Sequence, residues 1–236
     1  MKGCDYLSTM SPRIRNIQSF CFNYLNGYEI KNILDVGIGD GLTARSVFFK
    51  LFNINEYYGL EKIIPEKQIP GVNYIGQDLN WSRDRIPLSN ESIDLVFAGE
   101  IIEHLVDPDK FLNECYRILR PGGYIIITTP NLASWFNRIA LMLGYQPFLS
   151  DVSFQYPHAG KMQHHCGGGD HLRVFTLRAL KYILKMHEFT ILKICGTCAE
   201  DPKIIFPFPF SPLIIIERLS WLFPGWSSDM ILFCKK

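Results

Sequence analysis

Apolar residues recur every three or four positions through 11–27, "SPRIRNIQSFCFNYLNG". That period predicts an amphipathic helix with Ser11 as N-cap, Pro12 in the first turn and Gly27 as terminator. The pattern then shortens. "KNILDVG" is an apolar strand, and Leu42 to Phe52 reads as the helix packed on it. "EYYGLE", ending at Glu61, "GVNYIGQDL", ending near Asp78, and "SIDLVFAGE" give three more strands. Pro108 to Leu119 is a helix, and "PGGYIIITTPN" is a turn and a fifth strand whose β-branched run suits burial on both faces. Farther on, "TLRALKYILKMHEF" predicts a helix, "TILKICGT" and "DMILFCKK" two strands, and Leu213 to Leu222 a short helix between them.

Alternating strands and helices imply an α/β fold with a doubly wound, largely parallel sheet. Only "KIIPEKQIP" joins Glu61 to the third strand, so the crossover helix expected there is truncated or absent. The 236 residues suit one domain over 1–236, with 132–175 as a cap or lid insertion after the fifth strand. A hydrophobic share of 47% is enough to build a core, and a net charge of +1 points to no nucleic-acid partner. Seven cysteines without framework spacing and no signal-peptide pattern make a cytoplasmic location the expectation. In "IIFPFPFSPLIII" three prolines interrupt the most apolar stretch, so no spanning helix is expected. That stretch, with the helix after it, predicts a packing surface, a homodimer face or a peripheral membrane contact.

The chemistry begins at "ILDVGIGDG". Glycines at 37, 39 and 41 let a ligand approach the backbone at the carboxyl end of the first strand, where the following helix offers free N–H groups. The absence of a Gly-Lys-Ser/Thr sequence excludes a P-loop, and Leu42 stands where a dinucleotide fingerprint has its third glycine. Glu61 ends strand two, where a carboxylate can accept both ribose hydroxyls of NAD or of an adenosyl ligand. Asp78 ends strand three and suits an adenine amino group. A solvated acid is the plain alternative for each residue taken singly.

With "GLE", "GQDL", "SIDLVFAGEIIEHL" and "ILRPGGYIIITTPN" following in order, the chain resembles the class I S-adenosylmethionine (AdoMet)-dependent methyltransferases over residues 30 to 131. Its nearest likeness is to the small-molecule branch with the ubiquinone-type O-methyltransferases. The resemblance implies a Rossmann-like, seven-stranded sheet whose last strand is antiparallel, and AdoMet as cofactor. Asp35, Gly37, Ile38, Gly39 and Gly41 would surround its methionine end and Glu61 its ribose. Asp78 and the Leu79 backbone would bind its adenine, while Ala98, Gly99 and Glu100 would line the site. The methyl acceptor is expected to be small and partly apolar. His104 and His171 are the candidate catalytic or acceptor-contacting residues, since an imidazole can take a proton near neutral pH. Histidine in "EHL" can equally organise its loop, and Glu103 can cap or pair locally.

Trp135, Phe136, Tyr145 and Phe148 suit either an apolar pocket or the core of the insertion. His158, His164, His165, Cys166, Asp170 and His171 crowd one segment, but without H-x3-H or C-x2-C spacing. The expectation there is a glycine-hinged lid and no metal. "CGTC", Cys195 to Cys198, follows a strand instead of opening a helix and reads as incidental. An NAD-linked oxidoreductase and a non-catalytic AdoMet-binding module are the rival readings.

Overall fold

The hydrophobic periods place seven strands and six helices in a computed structural model that describes residues 11–162, 170–198 and 213–236. Helix α1 spans Pro12–Tyr24, and the Ser11 hydroxyl accepts the Ile14 N–H at 3.3 Å, the cap its sequence predicts. The strands are β1 Asn32–Val36, β2 Glu56–Glu61, β3 Asn73–Gly76, β4 Ile93–Gly99, β5 Leu119–Pro130, β6 Thr190–Thr197 and β7 Asp229–Lys235. The remaining helices are α2 Phe49–Leu51, α3 Pro108–Ile118, α4 Trp135–Met142, α5 Leu177–Met186 and α6 Leu213–Ser220.

The strands form one sheet in the order β3-β2-β1-β4-β5-β7-β6. Pairing is parallel from β3 through β5, and β7 runs antiparallel to both β5 and β6. Side chains alternate between two cores. Leu34, Val36, Val96, Ile125 and Ile127 join α3 and α5 on one face. Ile33, Leu95, Phe97, Ile126 and Phe233 meet α1 and Phe48 on the other. The result is a three-layer sandwich with both sheet faces covered, as a parallel sheet requires.

Two elements differ from the sequence pattern. The helix after the glycine loop is π-helical over Ala44–Phe48 before α2 begins. Strand β5 begins at Leu119 and runs through Pro121 and Gly122 instead of turning there, with a register shift opposite Ile93 and Leu95. Gly122 takes φ +78°, which supplies the bend. No helix crosses from β2 to β3, as the short connection foretells.

At the amino end of the sheet, Asp94 accepts the Lys31 and Asn32 N–H groups at 2.6 and 2.8 Å and pairs with Arg120 at 2.9 Å. These bonds fix β1 beside β4. The two strands diverge in connection at this point, and the switch leaves a crevice at their carboxyl ends.

Candidate active site

The crevice is built by the glycine loop. Gly37, Gly39 and Gly41 have φ of +68°, +54° and +66°, values that other residues adopt only with strain. A Cβ on Gly37 would lie 2.2 Å from Ile101, and one on Gly41 would lie 2.1 Å from Ile69. Small residues therefore serve close packing as well as ligand access. Leu42 N–H bonds to Asp40 Oδ1 at 2.9 Å, and Arg45 donates to the Asp40 carbonyl at 2.6 Å. Both contacts tie the loop to its own helix.

Around this loop runs an open groove with some 490 Å³ of empty space, lined by Gly37, Glu61, Lys62, Asp78, Leu79 and His104 among others. Glu61 Oε1 accepts the Gly39 N–H at 2.6 Å, so strand two's acid and the loop are already joined. Asp78 Oδ1 accepts the Asn80 N–H at 2.9 Å, and Oδ2 lies 3.1 Å from the Lys62 ammonium. Slight burial works against ionisation of Asp78, but Asn80 and Lys62 outweigh it and hold the carboxyl below its ordinary value. Asn80 also accepts the Val106 N–H and donates to the His104 carbonyl, which couples the Asp78 side of the groove to the next turn.

Not every predicted contact faces that groove. Asp35 is buried on the α1 side of the sheet, where its Oδ2 accepts the Tyr57 hydroxyl at 2.6 Å. Ile38 packs over Gly59, whose lack of a side chain makes room for it. Ala98 is fully buried, and Gly99 continues β4 into the turn beyond. Glu100 takes φ +55° and turns away, with Thr128 donating to it at 2.6 Å and Arg13 of α1 pairing at 3.1 Å. An acid in the left-handed region marks a turn held by its surroundings.

Beyond Glu100, the 3-10 turn Ile102–His104 presents Glu103 and His104. Glu103 is fully buried; Thr129 donates to its Oε2 at 2.9 Å, and its Oε1 has no hydrogen-bond partner. Burial, then the charge of Glu100, push its carboxyl up to about 8 against the Thr129 hydroxyl and Arg13. His104 and His171 meet edge to face, ring centroids 4.8 Å apart. Burial lowers the His171 imidazole from its ordinary value, with His104 adding to the effect and the Leu149 carbonyl opposing it. The structure therefore brings His104 and His171 together, although the sequence places them 67 positions apart.

Sequence reasoning missed the acids behind this turn. Glu217 on α6 is fully buried, accepting Trp135 Nε1–H at 2.8 Å and the Ser228 hydroxyl. Asp229 at the start of β7 is pushed far up by burial and by Glu100, with Arg13 opposing. No motif announces either residue; only the sheet order brings them behind Glu100. Trp135, Phe136 and Phe148 pack together with Leu213 and Ile214 of α6, while Tyr145 is exposed. His164, His165 and Cys166 lie outside the described residues. Cys195 and Cys198 are both free thiols.

Residues 34–127 match a family described as "Methyltransferase domain". A Mycolicibacterium smegmatis protein named as an S-adenosylmethionine-dependent methyltransferase is 48% identical over 46 residues, 20% of this chain and 18% of that one. The ubiquinone biosynthesis O-methyltransferase of Erwinia tasmaniensis is 29% identical over 127 residues, 49% of this chain and 50% of the relative. The chain thus spans about half the length of that relative and less than a fifth of the first. In fold it is similar to a SAM-dependent methyltransferase of Archaeoglobus fulgidus, with a TM-score of 0.55, 18% identity and 94% of each chain covered.

Proposed function

We propose, for a chain whose residues 34–127 carry a methyltransferase domain on the class I fold, that it transfers a methyl group from AdoMet to a small, partly apolar acceptor. The observation that carries the reading is the convergence of Gly37, Glu61, Asp78 and Leu79 on one groove at the switch point of the sheet. The donor set fits the cofactor. Two strand-end carboxylates are placed to accept ribose hydroxyls and an adenine amino group, and a loop with glycine at 37, 39 and 41 borders them.

AdoMet bound there supplies an activated electrophilic methyl group, so the chain's main task is alignment. Glu61 holds the ribose hydroxyls, exchanging its Gly39 contact in whole or in part. Asp78 would accept from the adenine amino group, and the Leu79 backbone would border the ring. Gly37 to Gly41 leave the methionine end unobstructed. His104 lines the groove and His171 packs against it, so the pair is placed to take the proton that an acceptor hydroxyl would need to lose. Segment 132–175 serves as the cap over that end, through the contact of His171 with the Leu149 carbonyl at 3.0 Å.

The acceptor's apolar character is supported by the ubiquinone-type relatives; several large apolar side chains are also exposed away from the groove. Ile215, Ile216 and Leu219 of α6, Trp221 and Phe223 beyond it, and Leu141 and Met142 of α4 all lie open. This face supports a homodimer or a bilayer contact, which light scattering and liposome flotation separate. Among the described residues no helix is long and apolar enough to cross a membrane.

Calorimetric titration with AdoMet and S-adenosylhomocysteine tests the reading. Both bind the unaltered chain, and Glu61→Ala weakens binding by a factor of about 10 to 100, as loss of one or two charge-assisted hydrogen bonds requires. Unchanged affinity in the variant would remove the ribose assignment. No binding to the unaltered chain would remove the function.

A further inference from the structure

Between the turn after β4 and the segment leading into α5, three side chains converge. Glu103, His104 and His171 each offer one donor atom, and these atoms all lie within 4.8 Å of one another. We propose that they bind a divalent transition-metal ion of the zinc class, with further coordination positions left for water or an acceptor oxygen.

The hydrogen bonds fix which atoms are offered. His104 Nδ1 lies 3.2 Å from the Asp170 carbonyl, and His171 Nδ1 lies 3.0 Å from the Leu149 carbonyl. A carbonyl only accepts, so each Nδ1 carries the hydrogen and each Nε2 keeps its lone pair. Metal-binding histidines are commonly oriented through such a contact at the nitrogen remote from the ion. His104 Nε2 is 3.9 Å from Glu103 Oε1, the buried carboxylate oxygen without a hydrogen-bond partner. The other oxygen of Glu103 is held by Thr129, which fixes the carboxylate's direction.

The frame is fixed as well. The Glu103 carbonyl accepts the Leu172 and Arg173 N–H groups at 2.8 and 2.9 Å. The Arg173 guanidinium donates to the Val106 carbonyl at 2.7 Å. The two histidines thus ride on segments stapled to each other.

Zinc bonds of about 2.1 Å put tetrahedral ligands about 3.4 Å apart. The 3.9 Å edge must then close by about 0.5 Å and the longest edge, within 4.8 Å, by up to about 1.4 Å, distances that side-chain torsions can cover. Two imidazoles and one carboxylate suit zinc and its first-row neighbours better than calcium or magnesium, which prefer all-oxygen sites. Ion binding stands apart from the methyl-transfer reading. One consequence rests on that reading: with both Nε2 atoms ligating, an acceptor hydroxyl bound at the ion loses its proton to solvent instead of to an imidazole.

The test is Co²⁺ titration of chelator-treated protein, followed by visible absorption and Zn²⁺ displacement. One equivalent of Co²⁺ should give d–d bands that Zn²⁺ abolishes. His171→Ala and Glu103→Gln should each weaken binding by more than about 100-fold, since even outer contacts cost 10- to 100-fold. His164→Ala/His165→Ala/Cys166→Ser should leave the bands in place. Thermal unfolding of each variant establishes that it is folded. Absence of bands in the unaltered protein overturns the proposal, as does their survival in folded His171→Ala or their loss in the triple variant. Failure of AdoMet binding would leave the cobalt result intact, so the two readings fall separately.

Discussion

Replacing Asp35 with asparagine should change how folding stability depends on pH. Asp35 Oδ2 accepts the Tyr57 hydroxyl, whereas its Oδ1 is buried with no hydrogen-bond partner. Burial raises the carboxyl from 3.8 to about 7; the Tyr57 hydrogen bond opposes the rise and the Glu61 charge assists it. An acid whose folded pKa exceeds its unfolded one binds its proton more tightly in the native state. Its contribution is therefore complete below 3.8 and is lost as pH climbs through about 7. Each pH unit in that window costs about 1.4 kcal/mol, on the order of 4 kcal/mol in all. Asparagine keeps an acceptor for Tyr57 and has no proton to lose. Glu103 and Asp229 shift in the same direction, so the unaltered protein alone does not isolate Asp35. The difference between the two proteins does. Urea unfolding at several pH values across the window should show the variant gaining on the unaltered chain by about 1.4 kcal/mol per unit. A difference that stays constant with pH would refute the assignment of a buried, ionising carboxyl.

Glu217→Ala removes the acceptor of the Trp135 N–H and of the Ser228 hydroxyl in the interior, and denaturant unfolding should record a loss of about 2–4 kcal/mol. Glu217→Gln should retain most of that stability, and an alanine variant within about 0.5 kcal/mol of the parent would contradict the network. For the thiols, mass-mapped alkylation should leave Cys21, Cys115 and Cys234 unmodified until the chain unfolds, because burial pushes Cys21 and Cys234 up to about 12 and Cys115 higher still. Half-buried Cys195 and Cys198 should react first among the described cysteines, and early labelling of Cys115 would show that the α3 face opens.

Strand positions and helix faces were legible because burial on two faces of a parallel sheet writes short β-branched runs, and amphipathic helices write a period near 3.6. The strand ends carrying Glu61 and Asp78 followed from those runs. The orientation of Asp35 was not legible, because it depends on Tyr57 reaching across from β2. Nor was that of Ile38, whose place is set by the absent side chain of Gly59. The π-helical turn at Ala44–Phe48 has the same residue types as an α-helix, so no local pattern distinguishes it. His104 and His171 were each singled out, but their meeting depends on the Glu103 carbonyl capturing the 171–173 segment. Long-range backbone bonds of this kind leave no mark in either stretch alone. The Glu100, Glu217 and Asp229 group is hidden for a similar reason, since β7 enters the sheet out of sequence order.

That order bears on how the chain is made. Strand β6 precedes β7 in sequence, yet every described partner of β6 in the sheet belongs to β7, which lies between it and β5. During synthesis, Thr190–Thr197 must wait for its described partner until residues 229–235 emerge, while β1 to β4 already have their neighbours and β5 has one of two. Asp229 and the buried α6 acid Glu217 arrive in the same late step. The half of the sheet that carries the glycine loop can therefore assemble before the half behind the histidine pair, leaving an open edge on β5 in the interval. Such an edge invites pairing with other chains. Slow translation between 198 and 229 would prolong the exposure of that edge.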